Sequence, residues 1–216
     1  MVDVSTGPWW AGRNDIVKLP VGYMTQSLGS RSFSPELSYI VHFDPSYEHF
    51  FNQYFSLKGS VTYSGEFFSE TVNKAMDNFT QRYEINPNIY LFNRSAVISL
   101  TAGYESINAD NKINGTETRL YSYEGQYYGI STLLRLPTQT ELFFRYRWNE
   151  RNYKTPPLMY PILRVDHKDS YTAVLSQGFL KHFFASFAVS YTDNESNADL
   201  YSFDKTTYTA MLGFYF

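Results

Sequence analysis

The sequence predicts an all-β chain folded as a transmembrane, antiparallel, up-and-down β-barrel of about ten strands. Three observations lead there: the C-terminal strand, the composition, and the rhythm of the connections. The chain ends Tyr208-Thr-Ala210-Met-Leu212-Gly-Phe214-Tyr-Phe216. Period-two alternation puts Tyr208, Ala210, Leu212, Phe214 and Phe216 on one face of a strand, with Thr207, Thr209, Met211 and Gly213 on the other. A soluble domain gains nothing by ending on an exposed Phe, whereas a barrel in lipid does. Tyr208, Leu212, Phe214 and Phe216 are therefore read as the folding signal of the closing strand.

Composition agrees. Aromatic residues make up 19% of the 216 positions, with 20 Tyr and 18 Phe. No stretch approaches the roughly 18 apolar residues of a membrane helix. Many rings without long apolar runs suit a barrel, in which only alternate residues face lipid. The chain has no cysteine, so disulfide and thiol chemistry are excluded. Its net charge of −3, with no basic run among the rings, argues against nucleic acid as a partner. No signal peptide is visible in Met1-Val-Asp-Val and the residues after it, so a mature or truncated form of an exported protein is expected.

The strands follow in order. Val17, Leu19, Val21 and Tyr23 suggest the first, and Leu37, Tyr39, Val41 and Phe43 the second. The third is the clearest, with Phe55, Leu57, Val61, Tyr63 and Phe67 alternating with Ser56, Lys58, Thr62 and Glu66. The fourth covers residues 82–91, where Pro87 predicts a bulge. The fifth runs from Ala96 to Glu105. The sixth lies within 119–136, its parity slipping between Gln126 and Leu134 as at a bulge. The seventh spans 141–149, the eighth 165–177, the ninth 185–192, and the tenth is the C-terminal strand. Tyr23, Phe43, Tyr63, Tyr83, Tyr104, Tyr146, Tyr191 and Tyr208 fall near strand ends on the apolar face, as an interfacial girdle requires. A soluble barrel or sandwich would place aliphatic residues there instead.

The connections alternate long and short, as barrels do. Counting back from the C-terminus, 193–199 is long, 178–183 short, 150–164 long and 137–139 short. Residues 106–117 are then long, 93–94 short, 68–79 long, and Asp44-Pro45-Ser46 short. An even strand number places both termini on one side, the periplasmic side of a bacterial outer membrane. The domain reading is a non-strand N-terminal segment over 1–14 and a barrel over 15–216.

From Arg164 onward the chain resembles a known group. The pattern is Arg164-Val-Asp166 leading to Tyr171, then Ser190-Tyr191-Thr192, Asn194-Glu-Ser196-Asn197, Tyr201-Ser-Phe203-Asp204-Lys205 and the terminal Phe216. It resembles the C-terminal barrels of outer-membrane export proteins that carry periplasmic tetratricopeptide repeats, a group that includes surface lipoprotein assembly modifiers and some exopolysaccharide exporters. The resemblance implies a transport or translocation component. Its implied partners are outer-membrane lipid and the barrel-assembly machinery during biogenesis.

The inward charges are the most chemical feature. Lys58, Arg82, Arg135, Arg145 and Arg147 are expected in the lumen with Glu66, Glu84, Glu105, Glu124 and Glu141. They read either as a selectivity lining for a charged or sugar-like solute or as a packed ion-pair network. About eight strands leave an interior filled by side chains and roughly sixteen leave a channel, so size favours the network. Asp166-His167-Lys168-Asp169 has the residue types of a protease at a barrel mouth, but no second carboxylate pair is evident, and no catalytic residue is assigned. His42, His49 and His182 lack metal-ligand spacing, so neither metal nor cofactor is expected. Phe50-Phe51 and Phe183-Phe184 read as interfacial anchors. Trp9-Trp10, bracketed by Gly and Pro, reads as part of a periplasmic tail, a plug folded into the lumen or, since a packed role suits an exposed Trp pair better than a free tail, a contact for a periplasmic or surface protein. On that alternative the protein is a closed structural barrel anchoring an assembly.

Overall fold

The computed structural model describes residues 2–28, 36–68, 77–109, 112–113, 116–117, 122–156, 161–179 and 183–214. Phe216 and parts of several long connections lie outside them. The N-terminal strands are short: β1 (Val2–Thr6), β2 (Trp9–Ala11), β3 (Asp15–Lys18), β4 (Val21–Leu28), β5 (Glu36–Phe43) and β6 (Ser46–Phe50). Then come β7 (Phe55–Phe68), β8 (Asn78–Leu91) and β9 (Ala96–Asn108), followed by the small hairpin of β10 (Lys112–Ile113) and β11 (Thr116–Glu117). The remainder are β12 (Tyr123–Arg135), β13 (Thr140–Tyr153), β14 (Val165–Phe179), β15 (Phe183–Ser196) and β16 (Phe203–Phe214).

Fourteen of these strands form one antiparallel sheet, whose main path is β1-β4-β5-β7-β8-β9-β12-β13-β14-β15-β16. The all-β, up-and-down expectation holds. The strand count differs, because the path has eleven positions. The sheet is also not closed: among the described residues no ladder joins β1 or β2 to β16.

The additional position comes from the segment expected to lie outside the sheet. Within residues 1–14, β1 pairs with β4 from Val2↔Thr25 to Thr6↔Val21, and β2 pairs with β3 through Trp10↔Val17. An odd number of positions also separates the chain ends. β1 starts at the long-loop end of the sheet, whereas Phe214 pairs with Phe183 beside a short connection. The two ends do not share a side.

Prolines explain why the first three lines of the sheet are each broken in two. Gly7-Pro8 separates β1 from β2, Leu19-Pro20 separates β3 from β4, and Asp44-Pro45 separates β5 from β6. A proline has no N–H to donate, but its carbonyl still accepts. Leu19 N–H donates to Pro8 O at 3.0 Å, Asp44 N–H to Pro20 O at 3.0 Å, and Val61 N–H to Pro45 O at 2.9 Å. The breaks thus lie side by side as one crease that the hydrogen bonding crosses. Asp44-Pro45-Ser46 is therefore not a turn. The chain reverses at 51–54, where Phe51 N–H donates to Phe55 O at 3.1 Å.

Neither expected bulge forms. β8 keeps one register with β9 on both sides of Pro87, as Ile85↔Ala102 and Asn88↔Ser99 show. Side chains bridge the gap: Thr101 donates to Asn86 Oδ1 at 2.8 Å and Ser99 to Asn88 Oδ1 at 2.6 Å. β12 pairs without a slip from Tyr123↔Tyr153 to Arg135↔Glu141.

The sheet curls, because side chains from six neighbouring strands, β7 to β14, line a single cavity. The concave face is polar: Ser56, Asn88, Glu105, Asn149 and Asp166 are buried there. The convex face carries exposed Val41, Ile85, Leu100, Ile130, Leu175 and Phe187. Rings mark two levels on it. Toward the long loops, Tyr23, Tyr39 and Phe67 stack in series, and Tyr146, Tyr171 and Tyr191 follow one another as tilted pairs. Toward the short turns, Phe179, Phe183 and Phe214 form a second row.

Candidate functional site

Alternation decides which charges meet. Of the ten charges expected in the interior, nine lie on the concave parity. Glu124 is the exception: it faces outward, where Lys154 Nζ reaches it at 2.7 Å. The unbroken register of β12 is the cause, since it sends Gln126 and Tyr128 outward and Tyr127 inward. Lys58 and Glu66 sit on β7, and Glu66 accepts from Ser38 Oγ and Asn78 Nδ2, each at 3.2 Å. Arg135 and Glu141 pair at 2.9 Å at the short-turn rim, where both are exposed.

The others converge. Arg82 of β8 forks onto Glu105 of β9, with Nε at 2.8 Å and a second, shorter Nη2 contact. Glu105 is only 5% exposed and also accepts from the Tyr123 hydroxyl. Arg151 lies 3.9 Å from the same carboxylate and 4.7 Å over the Tyr123 ring. Glu84 accepts from the Tyr127 hydroxyl at 2.8 Å, and the Arg147 guanidinium lies 3.7 Å over the Tyr127 ring. Arg147 Nε donates to Asn149 at 2.9 Å. Gly103 makes room for this arrangement: a Cβ there would lie 2.3 Å from Tyr127.

These groups surround a cavity of about 380 Å³ open on the concave side. Arg82, Arg145, Arg147, Arg151 and Lys168 line it, with Glu105 as its carboxylate. Ser64, Thr80 and Ser170 add hydroxyls. Arg151, Tyr123 and Lys168 carry no signal that the alternation reading used. Arg151 shares the parity of Arg145 and Arg147 on β13, and that shared parity is the sequence signal for the third arginine.

A second polar layer sits nearer the short turns. Glu48 Oε1 accepts from Ser56 at 2.5 Å, Tyr90 at 2.8 Å and Asn88 at 3.3 Å. Below it, Arg94 lies 5.0 Å over Phe50 and 5.2 Å over Tyr90. Three neutral donors thus converge on one oxygen of this carboxylate.

At the long-loop end, beyond the level of Tyr171, Arg164 Nε donates to Asp166 Oδ1 at 2.8 Å and Nη2 contacts the other oxygen. The Arg164 guanidinium is sandwiched 4.1 Å from the Tyr153 ring and 3.8 Å from Tyr201. Burial pushes the Asp166 carboxyl up, but the Arg164 hydrogen bonds and charge outweigh it and hold it below the usual carboxylate range. His167 faces the other way, stacked 6.2 Å from Trp148. Asp166 and His167 thus lie on opposite faces and cannot act as a pair. Among the described residues no cluster of His, Asp and Glu has a metal-binding arrangement.

The aromatic pairs are split in the same way. Phe51 and Phe183 belong to the convex side, whereas Phe50 turns inward against Tyr90, and Phe184 against Gly213. Trp9 and Trp10 also point to opposite faces of β2, 71% and 57% exposed at the free edge of the sheet. Comparison with protein-family models, curated proteins and solved structures finds no match for the chain.

Proposed function

We propose that the protein is an integral outer-membrane β-barrel with a narrow lumen, acting as a transport or translocation component. One observation carries the reading: the sheet is apolar and exposed on its convex face and polar and buried on its concave face. In water that arrangement is unfavourable, because exposed apolar area costs roughly 25 cal/mol per Å². In lipid it is the low-energy one, with the polar groups gathered on the inner face away from hydrocarbon. Tyr171 and Phe179, and likewise Phe183 and Tyr191, stand eight residues apart on the convex face. That is about 27 Å along a strand, close to the apolar band of an outer-membrane barrel.

Eleven positions fall between the filled barrels of about eight strands and the open ones of roughly sixteen, which gives the narrow lumen. Closure brings the β1–β2 edge to β16. The short turns and the end of β16 are assigned to the periplasmic side. The resemblance of residues 164–216 to export barrels supports the transport role. Single-channel recording of the folded protein in a planar bilayer tests it. Ion-selective openings altered by Arg145→Ala or Arg147→Ala are expected; a folded but silent barrel would refute it.

A second reading, a structural barrel that anchors an assembly, is favoured by Trp9 and Trp10. Two tryptophans, 71% and 57% exposed on opposite faces of β2, suit contact with another protein. It predicts a stable complex and no conductance.

A further inference from the structure

We infer that the concave cavity lined by Arg82, Arg145, Arg147, Arg151 and Lys168 is a binding site for a soluble oxyanion, a solute bearing phosphate or carboxylate groups. The charge count is the first ground. Five cations face Glu105 and the nearby Glu84, in a chain whose net charge is −3. The excess is local, and the rest of the protein does not share it.

The second ground is the way the cations are held. Arg82 is neutralised by its fork onto Glu105. Arg145, Arg147 and Lys168 make no ion pair within 4.0 Å among the described residues. Arg145 and Arg147 are adjacent on one face of β13, about 7 Å apart along the strand, and like charges so placed repel. A purely structural network would alternate signs, as Arg135 and Glu141 do at the rim. An anion seated between them removes the repulsion, and guanidinium groups match phosphate and carboxylate oxygens two bonds at a time. Ser64, Thr80 and Ser170 offer neutral donors beside them. The volume of about 380 Å³ suits a small solute. Lipid headgroups meet the convex side, so the occupant is soluble.

The inference names the solute class for the proposed transport role, but its test needs no conducting pore. The folded protein, checked by its heat-dependent gel shift, would be titrated calorimetrically in detergent micelles with inorganic phosphate, glucose 6-phosphate and glucose. Both phosphates are expected to bind, more weakly as NaCl is raised, and glucose not at all. Arg145→Gln and Lys168→Gln are each expected to weaken binding about tenfold, the worth of one charge-assisted contact. Lys18→Gln, away from the cavity, should leave it unchanged. Absence of phosphate binding to the wild-type protein would overturn the inference, as would equal binding by folded Arg145→Gln and Lys168→Gln. So would loss of phosphate binding in vesicles containing phosphatidylglycerol, which would assign the cavity to a lipid headgroup. Phosphate binding by a protein silent in bilayers would uphold the site and refute only the pore.

Discussion

Glu105 joins three strands through one carboxylate: it takes Arg82 of β8, Tyr123 of β12 and Arg151 of β13. Glu105→Gln leaves two guanidinium groups short of a counter-charge. Loss of a buried ionic partner costs about 3–5 kcal/mol, and the part-exposed Arg82 lowers the expected loss to about 2 kcal/mol, readable by denaturant unfolding in micelles. Asp166 gives a pH dependence. Its carboxyl titrates below the usual range when folded, so its contribution is complete above the unfolded pKa of about 3.9 and disappears as pH falls through the lower, folded value. Hydrogen exchange at Asn194 to Ser202 is expected to accelerate below about pH 4, and to be already fast at neutral pH in Asp166→Asn. Alternation made the inward face legible at nine of ten charges. It misplaced Glu124 because the slip expected between Gln126 and Leu134 does not occur, and nothing in the sequence shows that the Tyr127 hydroxyl reaches Glu84 on a strand two positions away.

The elements were legible where alternation is unbroken, as in β7, β13 and β14, and obscured where proline intervenes. Asp44-Pro45 has the residues of a turn, yet Tyr47 and His49 continue the outward parity of Tyr39 and Val41 beyond it. β1 and β2 were hidden in the same way, since Gly7-Pro8 interrupts the run and the adjacent tryptophans defeat a period of two. The crease shows why such prolines are tolerated: each sits where only a carbonyl is asked for. Pro45→Ala should therefore change stability by less than about 1 kcal/mol, through the entropy of the unfolded chain alone. Val61→Pro, which removes the N–H that meets Pro45 O, should cost about 3 kcal/mol. Guanidinium unfolding followed by tryptophan fluorescence separates the two.

For the whole molecule, the two faces make opposite demands on neighbouring residues. Leu175 stands midway between Tyr171 and Phe179 on the convex face, and Ser176 beside it points inward. Leu175→Arg should lose about 2–4 kcal/mol of membrane stability, the cost of arginine at the bilayer midplane. Ser176→Arg should assemble nearly normally. Folding into lipid vesicles, scored by the gel shift, distinguishes them, and equal behaviour would contradict the membrane reading. The strands also overshoot the ring levels on one side only. β14 continues six residues past Tyr171, about 20 Å toward the long loops. The arginine cavity lies at and beyond that level, while the Glu48 layer packs the concave face toward the short turns. With the sheet placed in the membrane as proposed, the cavity sits ahead of most of the electrical potential drop. An anion entering from the long-loop side crosses little of the field, so its occupancy should scarcely respond to applied voltage.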